Sequence, residues 1–358
     1  MGRIGAAVLL VSLVVLELAG ANQPRPDSKT LTLYFIDVEG GQSALIVTPT
    51  RETLLIDTGF PGAGAFESRP GDPRRARDAN RIVAAMRDAS VSRIDYLLIT
   101  HFHPDHVGGV VELAQLVPIR TFIDHGTVDA GKEPNPANTS DAFRAYVEVR
   151  AKGVHLQPKP GEELPITGIA VTVISSAASV IQKAVRSSSQ PNVACEALAR
   201  SVEEPRENAR STGIVAKFGT FRFLDVGDLN RQPLFDLVCP SDRVGPVDVY
   251  LVPEHGGADP SALAALNVFK PRVAILNNGV TRGASPETFA ALRQVTVDVW
   301  QLDRSTRQGV QNFADEQIAN LDERTGHWIK LIATEEGSFA ITNGRTGMTK
   351  RYLPLAKP

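Results

Sequence analysis

The chain has 358 residues, of which 42% are hydrophobic and 22% are charged, and this composition is ordinary for a soluble globular protein. Its length suits one large α/β domain or two small ones. The formal net charge of −2 excludes a global positive field that would attract nucleic acid or an acidic membrane, so the sequence carries no strong indication of nucleic-acid binding. An anionic partner would have to be held locally.

The first 21 residues are typical of a secretory signal peptide. Arg3 supplies the positive charge, residues 4–18 are mostly apolar, and Ala19-Gly20-Ala21 forms a cleavage site of small residues. The apolar stretch is short for a membrane span, which needs about 20 residues. We therefore expect an exported protein, periplasmic or secreted, with no stable membrane span after cleavage. An uncleaved anchor is the alternative.

Residues 22–30 form a predicted linker, and residues 31–358 form one predicted domain. In its first half, short stretches that are apolar or alternate between apolar and polar residues predict strands, and stretches with helical spacing of apolar residues lie between them. The predicted strands are 31–38, 44–48, 53–57, 95–100, 121–124 and 169–174, and the predicted helices are 78–89, 110–116 and 140–152.

Residues 176–211 are polar, rich in serine and of low periodicity, which predicts an insertion or lid, partly helical near 193–202. After it, the predicted strands are 213–218, 221–225, 247–252, 273–276 and 297–302, followed by a final hairpin of 328–334 with 338–342. The predicted helices of this half are 261–269 and 286–292. Two strand-rich halves with interleaved helices predict two sheets packed face to face with helices outside.

Two cysteines, Cys195 and Cys239, stand outside any metal-binding spacing. An even count permits one disulfide in an oxidising compartment. Two separate thiols fit the sequence equally well, because sequence does not give the distance between them.

The most informative segment is residues 100–109, Thr-His-Phe-His-Pro-Asp-His-Val-Gly-Gly, directly after a predicted buried strand. In extended backbone, His101 and His103 point to the same side. Pro104 and the following glycines allow Asp105 and His106 to turn back at a helix start. Three imidazoles and a carboxylate are nitrogen and oxygen ligands suited to Zn²⁺. A solvated histidine-rich loop is the alternative interpretation.

These residues resemble the HxHxDH signature of the metallo-β-lactamase superfamily. Segments 35–43, 54–59, 221–228 and 252–257 are further similar to the soluble hydrolase domain of ComEC-type DNA-uptake proteins, in the same order. The resemblance implies a four-layer αββα sandwich with its site at one edge, between the two sheets. It also implies two Zn²⁺ ions per chain.

Position by position, the resemblance implies one role for each ligand residue. His101 and His103 would hold the first metal; Asp105, His106 and His255 would hold the second; and Asp228 would bridge the two. Asp57 matches the carboxylate that orients a ligand imidazole. Taken alone, Asp228 could instead cap a helix, and Asp57 and His255 could be ordinary turn residues.

The chain departs from the common pattern in one place. Members of the superfamily usually carry one more histidine about twenty residues before the bridging aspartate, and residues 207–213 contain none. The first metal site is therefore one ligand short. His125, at the end of a predicted strand, could fill the gap, and a merely hydrogen-bonded loop histidine is the alternative.

Contacts to substrate are less clearly marked. Arg74 and Arg75 lie in the loop after Asp57 and could bind phosphate, although a solvated basic loop is the favoured interpretation. Asn278 follows the predicted strand 273–276 and could line the cleft.

The sequence therefore predicts an exported zinc-dependent hydrolase that uses a metal-activated hydroxide, with Asp105 both binding metal and orienting the attacking oxygen. The resemblance implies a phosphodiester or a related phosphate ester as substrate, and the expected partner is a small-molecule or phosphodiester substrate. A β-lactam or lactone hydrolase, a non-catalytic exported module stabilised by metal, and a di-iron redox protein are the alternatives.

Overall fold

The computed structural model describes residues 29–62, 69, 71–185, 191–192, 195–196, 206–259, 261–295 and 298–355. The predicted signal peptide lies outside these residues, and the predicted helix near 193–202 is described only at residues 195 and 196. Of the helices in the described ranges, none combines the length and the apolarity that crossing a bilayer requires.

In the described part of the chain, the strands form two large sheets. The first eight are β1 (Thr30–Phe35), β2 (Ala44–Val47), β3 (Thr53–Ile56), β4 (Ile94–Leu98), β5 (Ile119–Ile123), β6 (Val154–Leu156), β7 (Ala170–Ser176) and β8 (Ser179–Val180). The others are β9 (Gly213–Phe218), β10 (Phe221–Asp225), β11 (Val249–Leu251), β12 (Val273–Leu276), β13 (Asp298–Asp303), β14 (Ile318–Asn320), β15 (Ile329–Thr334), β16 (Phe339–Asn343) and β17 (Thr349–Tyr352).

The first sheet has the order β17-β16-β15-β1-β2-β3-β4-β5-β6, and the second has the order β14-β13-β12-β11-β10-β9-β7-β8. The helices are α1 (Arg77–Asp88), α2 (Pro104–Val107), α3 (Val110–Leu116), α4 (Pro136–Arg150), α5 (Arg231–Val238), α6 (Ser261–Phe269) and α7 (Pro286–Gln294).

Three apolar clusters separate four layers. Side chains such as Leu33 of β1 and Phe223 of β10 fill the space between the sheets. The opposite face of the first sheet packs on helices through residues such as Ile82 of α1. The opposite face of the second sheet packs on helices through residues such as Phe269 of α6 and Leu292 of α7. Both faces of each sheet are thus buried, and the predicted αββα sandwich is confirmed.

Several elements are absent from the sequence prediction, namely β6, β8, β14, β17 and α5. The predicted final hairpin, β15 with β16, is followed by a further strand, because β17 pairs antiparallel with β16. β17 reads Thr-Lys-Arg-Tyr and is mostly exposed, so it lacks the apolar pattern by which a strand is recognised. Cys195 and Cys239 form a disulfide, which settles the alternative left open by the sequence.

The ends of four strands come together at one edge of the sandwich. β3 runs parallel to β4 in the first sheet, and β10 runs parallel to β11 in the second. Parallel neighbours present their carboxyl ends at the same edge of a sheet. The loops after these strands carry Asp57, His101, Asp228 and His255. A backbone hydrogen bond from Thr212 to Thr100, 2.8 Å long, joins the two sheets there.

Candidate metal centre

The histidine-rich segment takes the extended-then-helical course that its sequence predicts. His103 has extended backbone angles, and Pro104 opens the short helix α2 immediately after it. Proline suits this position because its missing N–H would have no helical partner. Asp105 and His106 lie in the first turn of α2 and are buried. The segment therefore carries four predicted ligands, His101, His103, Asp105 and His106, within six residues.

Four of the predicted ligand residues converge on one point. One atom from each of Asp105, His106, Asp228 and His255 lies within 4.8 Å of the other three. The Nε2 atom of His255 is 3.3 Å from Oδ2 of Asp105 and 3.3 Å from Oδ2 of Asp228. Nε2 of His106 is likewise 3.3 Å from Oδ2 of Asp228. We name these four residues the ligand cluster.

The chemistry of the ligand cluster fits a divalent cation. The Nε2 atoms of His106 and His255 face each other across 3.2 Å, so two lone pairs would repel unless a proton or a metal ion lies between them. All four residues are buried, and two carboxylates buried together need compensating positive charge. Two imidazoles and two carboxylates are donors that Zn²⁺ and other transition metals accept.

The pKa shifts within the ligand cluster likewise favour positive charge at this site. Burial alone would lower the pKa of His255, but Asp228 and Asp105 outweigh burial and raise it to about 9. Asp228 in the same way raises the pKa of His106 well above its ordinary value. Burial would raise the pKa of Asp228, yet the two histidines hold it well below its usual range. The carboxylates of the ligand cluster thus favour positive charge on its histidines.

His101 and His103 form a second pair of converging nitrogens beside the ligand cluster. Nε2 of His101 is 3.0 Å from Nδ1 of His103, and the rings of His101 and His106 have centroids 4.0 Å apart. Burial lowers the pKa of His101 well below its ordinary value and keeps it neutral, as a metal ligand must be. His103 is oriented from behind by Glu133, whose Oε2 is 2.9 Å from Nε2 of His103.

Asp57 occupies the orienting position that the resemblance implies. Its Oδ2 is 2.8 Å from Nδ1 of His106, and its Oδ1 accepts a hydrogen bond from the backbone N–H of Thr100 over 2.8 Å. The residue has a positive φ of 59°, a conformation that costs an L-residue energy. With Nδ1 held in this way, Nε2 of His106 is directed toward the ligand cluster.

Two local conformations place the ligands from the second sheet. Gly227 has a φ of 55°, and a Cβ there would lie 2.7 Å from Cβ of Thr100, so only glycine fits. Glu254 and His255 both have left-handed φ values, 52° and 55°. The backbone N–H of Glu254 donates to Oδ1 of Asp228 over 3.1 Å. Strained backbone of this kind is held by its surroundings and concentrates at functional sites.

His125 contacts residues outside the ligand cluster. It is buried, its Nε2 is 2.8 Å from Oε1 of Glu207, and its ring packs on Phe102 with centroids 4.4 Å apart. Glu207 also accepts a hydrogen bond from the backbone N–H of Phe102 over 3.0 Å. A role for His125 as the missing ligand of the first site therefore stays a prediction.

A cleft of about 520 Å³ opens over the ligand residues. Asp105 and His103 line it, together with cationic, acidic and amide side chains. The polar lining residues besides these two are Glu133, Asn135, Asn138, Thr139, Arg206, Asn208, Asn230, Glu254 and Arg282. The lining of the cleft thus includes hydrogen-bond donors from arginine and asparagine side chains.

The residues predicted to bind substrate lie elsewhere than on the walls of this cleft. Arg74 is exposed and paired with Asp72 at 3.4 Å, and Arg75 is its neighbour in the same short turn. Asn278 is fully buried and donates to the backbone carbonyl of Asp303 over 2.8 Å. Their contacts with substrate stay predictions.

Sequence reasoning missed Arg282, Arg206 and Glu133. An Nη2 atom of Arg282 lies 2.5 Å from Oδ2 of Asp105, although 177 residues separate them. The guanidinium of Arg282 also lies over the ring of Phe60, 5.3 Å from its centroid. No local pattern marks these residues, because isolated arginines and glutamates are common on ordinary surfaces.

Residues 37–177 match the model of the protein family described as "Metallo-beta-lactamase superfamily". The match contains Asp57 and the histidine-rich segment but ends before Asp228 and His255. Two curated relatives are "Lactamase-like protein nscB" of Aspergillus fumigatus, 32% identical over 112 residues, and its namesake of Neosartorya fischeri, 31% identical over 110 residues. Each match covers 30% of this chain and 32% of the relative, so it spans about a third of the relative's length.

Three solved structures with a similar fold are each less than 15% identical to this chain in sequence. A metal-dependent hydrolase of the beta-lactamase superfamily has a TM-score of 0.42 at 11% identity, covering 78% of this chain and all of its own. A diphosphatase of the PhnP family has a TM-score of 0.40 at 10% identity, covering 76% and 94%. CmlA, a diiron beta-hydroxylase from Streptomyces venezuelae, has a TM-score of 0.41 at 14% identity, covering 75% and 52%.

Proposed function

We propose that the protein is a zinc-dependent hydrolase of phosphodiesters or related phosphate esters, on the premise that residues 37–177, which match the metallo-beta-lactamase superfamily, belong to it. The observation that carries the proposal is the ligand cluster, in which Asp105, His106, Asp228 and His255 converge beside a cleft. Nitrogen and oxygen donors without thiolates suit a catalytic zinc site more than a structural one.

The residues divide into two sets of ligands. The ligand cluster, which includes Asp228, would hold one ion, and His101 with His103 would hold a second ion beside it. Bound divalent ions would supply activated water and polarise the ester group. Asp105 borders the cleft, where its carboxylate can accept a hydrogen bond from a water molecule and orient it toward the substrate.

The lining of the cleft favours an anionic substrate. Arg282 and Arg206 both face the cleft, and guanidinium groups bind phosphate oxygens through paired donors. Arg282 is already held at Asp105, so a phosphate bound to its remaining donors would lie next to the ligand cluster. Asn208 and Asn230, on the same walls, donate to Oε1 of Glu254 and keep that side chain in place.

A β-lactam or lactone hydrolase is the principal rival. The first metal set has two imidazoles and no third histidine in residues 207–213. A well-filled first site is expected for polarising a carbonyl group, so the shortage favours the phosphate ester, in which charged oxygens also bind arginine. The rival predicts that Arg282 contributes little to turnover.

Parallel assays with two chromogenic substrates test the proposal. Purified protein loaded with zinc should hydrolyse bis(p-nitrophenyl) phosphate and should leave a chromogenic cephalosporin largely intact. Arg282→Gln should reduce kcat/KM for the phosphodiester by about 10-fold or more, as loss of a charged hydrogen bond predicts. The matched control, Arg87→Gln on the exposed side of α1, should have no effect.

Either of two results would contradict this assignment. Rapid cephalosporin turnover without phosphodiester turnover would select the rival, and no hydrolysis of either substrate by zinc-loaded protein would reject both assignments. An unchanged kcat/KM in Arg282→Gln would contradict the inference that the cleft binds an anionic substrate through Arg282.

We further propose that the protein is exported. The predicted signal peptide supports this, as does the Cys195–Cys239 disulfide, since disulfides persist mainly in oxidising compartments. N-terminal sequencing of protein recovered from the periplasm or medium should begin near residue 22. Recovery of full-length protein from the cytosol would contradict export.

A further inference from the structure

A second group of carboxylates lies at the same edge of the sandwich, next to the ligand cluster. Asp37 and Glu39 follow β1, and Asp303 ends β13. One oxygen atom from each lies within 4.8 Å of the other two. We name Asp37, Glu39 and Asp303 the acidic cluster. It contains no histidine or cysteine.

Hydrogen bonds account for Asp37 and Glu39 but not for Asp303. Asp37 accepts from the backbone N–H of Glu39 over 2.8 Å and from Nη1 of Arg81 over 2.8 Å. Glu39 accepts from both terminal nitrogens of Arg81 over 3.1 Å. Asp303 is fully buried, and among the residues that the structure describes none donates a hydrogen bond to its carboxylate oxygens, whose polar neighbour is the carboxyl group of Asp37. A buried carboxylate without a donor is costly, so Asp303 needs a partner.

The charges of the acidic cluster do not balance. When all three carboxylates are ionised, they and Arg81 carry a net charge of −2. Arg77 also acts on Glu39 but forms its own ion pair with Asp78 at 2.5 Å. One divalent cation would neutralise this charge.

We propose that Asp37, Glu39 and Asp303 bind a divalent cation of the oxygen-preferring class, Ca²⁺ or Mg²⁺, at a site distinct from the ligand cluster. Carboxylate oxygens are the ligands that these cations select, and transition metals would favour the imidazoles of the ligand cluster instead. Asp303 would supply carboxylate oxygens to which no described residue donates a hydrogen bond. Glu39, the least buried of the three, lies where the cation would enter.

The cation would stabilise the loop that supports Asp105. Glu39 and Gly40 have positive φ values of 56° and 81°, so the loop after Asp37 is tightly turned. Gly41 packs directly on the backbone carbonyl of Asp105, which leaves no room for a Cβ. The backbone N–H of Gln42 donates to the same carbonyl over 3.1 Å. Fastening Asp37 and Glu39 to Asp303 would therefore hold this loop against α2.

The rival explanation is a proton in place of the cation. A protonated Asp303 could donate a hydrogen bond to Asp37, and burial, together with the charges of Asp37 and Glu39, does raise the pKa of Asp303. The two explanations differ in what Asp303→Asn does. An amide can replace a protonated carboxyl group, but it removes a charged ligand from a cation site.

The test uses full-length protein with zinc saturating the ligand cluster, so that added Ca²⁺ or Mg²⁺ acts elsewhere. Titration with either chloride salt should raise the melting temperature of the wild type by about 5 °C, as expected for a ligand present well above its dissociation constant. Isothermal titration should give one ion per chain. Asp303→Asn should lose the shift and the heat of binding.

Two further variants locate the effect. Asp228→Asn, in the ligand cluster, should keep the shift, and so should Asp95→Asn, which replaces a buried carboxylate of β4 far along the sheet. If Asp303→Asn does not fold, Glu39→Gln takes its place. A wild type that neither cation shifts, or an equal shift in the wild type and Asp303→Asn, would overturn the proposal in favour of the proton.

Discussion

Asp57 holds His106 by a 2.8 Å hydrogen bond from Nδ1 of the imidazole to Oδ2 of the carboxylate, although 49 residues separate them. The same Oδ2 accepts from the hydroxyl of Thr100 over 2.7 Å. Asp57 follows β3 and His106 belongs to α2, so this contact fixes the first helix of the site to the sheet beneath it.

Asp57→Asn should weaken zinc binding by about 10- to 100-fold, because an amide orients the imidazole less well and lowers its basicity. Competition with a chromogenic chelator measures this affinity. Asp95→Asn, a buried carboxylate outside the site, serves as the control. Equal affinities in wild type and Asp57→Asn would show that the hydrogen bond does not tune the metal.

Asp105→Ala should reduce turnover by about 10³-fold or more, because it removes a metal ligand and the group that orients water. Circular dichroism should remain that of the folded protein. Asp141→Ala, an exposed carboxylate of α4, should leave turnover unchanged. Full activity in Asp105→Ala would refute the mechanism.

Zinc content should separate the two ligand sets. The wild type should hold close to two zinc ions per chain, while His255→Ala and His101→Ala should each hold close to one. At limiting zinc, the ligand cluster should fill first, because it offers four ligands where His101 and His103 offer two. Elemental analysis after dialysis checks this; a wild type without zinc would remove every metal-dependent function.

The pH dependence of stability should reveal Asp225 in the metal-free protein. Burial raises the pKa of Asp225 from 3.8 to about 7, so the folded state keeps a proton that the unfolded state releases. Unfolding free energy should therefore fall as pH rises from about 4 to 7. Asp225→Asn should remove this part of the slope and be more stable at pH 7 by about 2 kcal/mol. Urea unfolding of the wild type and Asp225→Asn at about pH 4 and 7 measures this difference. An equal pH dependence of the unfolding free energy in the two proteins would contradict the prediction.

Replacing both cysteines by alanine should reduce the free energy of unfolding by about 2–4 kcal/mol, since the disulfide spans 44 residues and restricts the unfolded chain. Urea unfolding without reductant measures the loss. A reducing agent should destabilise the wild type and leave Cys195→Ala/Cys239→Ala unaffected. Free thiols in the isolated wild type would argue against the pairing.

Much of the fold could be predicted from the chain, because buried strands and amphipathic helices leave periodic patterns. The helix Val110–Leu116 and the strands Gly213–Phe218 and Phe221–Asp225 have the predicted bounds. β17 and β6 could not be found, since exposed edge strands lack such patterns. The similarity to ComEC-type proteins stays a prediction.

The sequence alone determined the set of candidate ligands. His101, His103, Asp105 and His106 stand within six residues, so local backbone geometry is enough to bring them together. Asp228 and His255 could be named only through a resemblance, since nothing local distinguishes them from turn residues.

Only the tertiary structure decided which side chains share the site. Parallel strands from two sheets end at one edge, and this topology brings His255 to within 3.2 Å of His106 across 149 residues of chain. The same packing places Arg282 on Asp105 and gathers Asp37, Glu39 and Asp303. Such contacts depend on how the two sheets pack, which no periodicity of residues along the chain records.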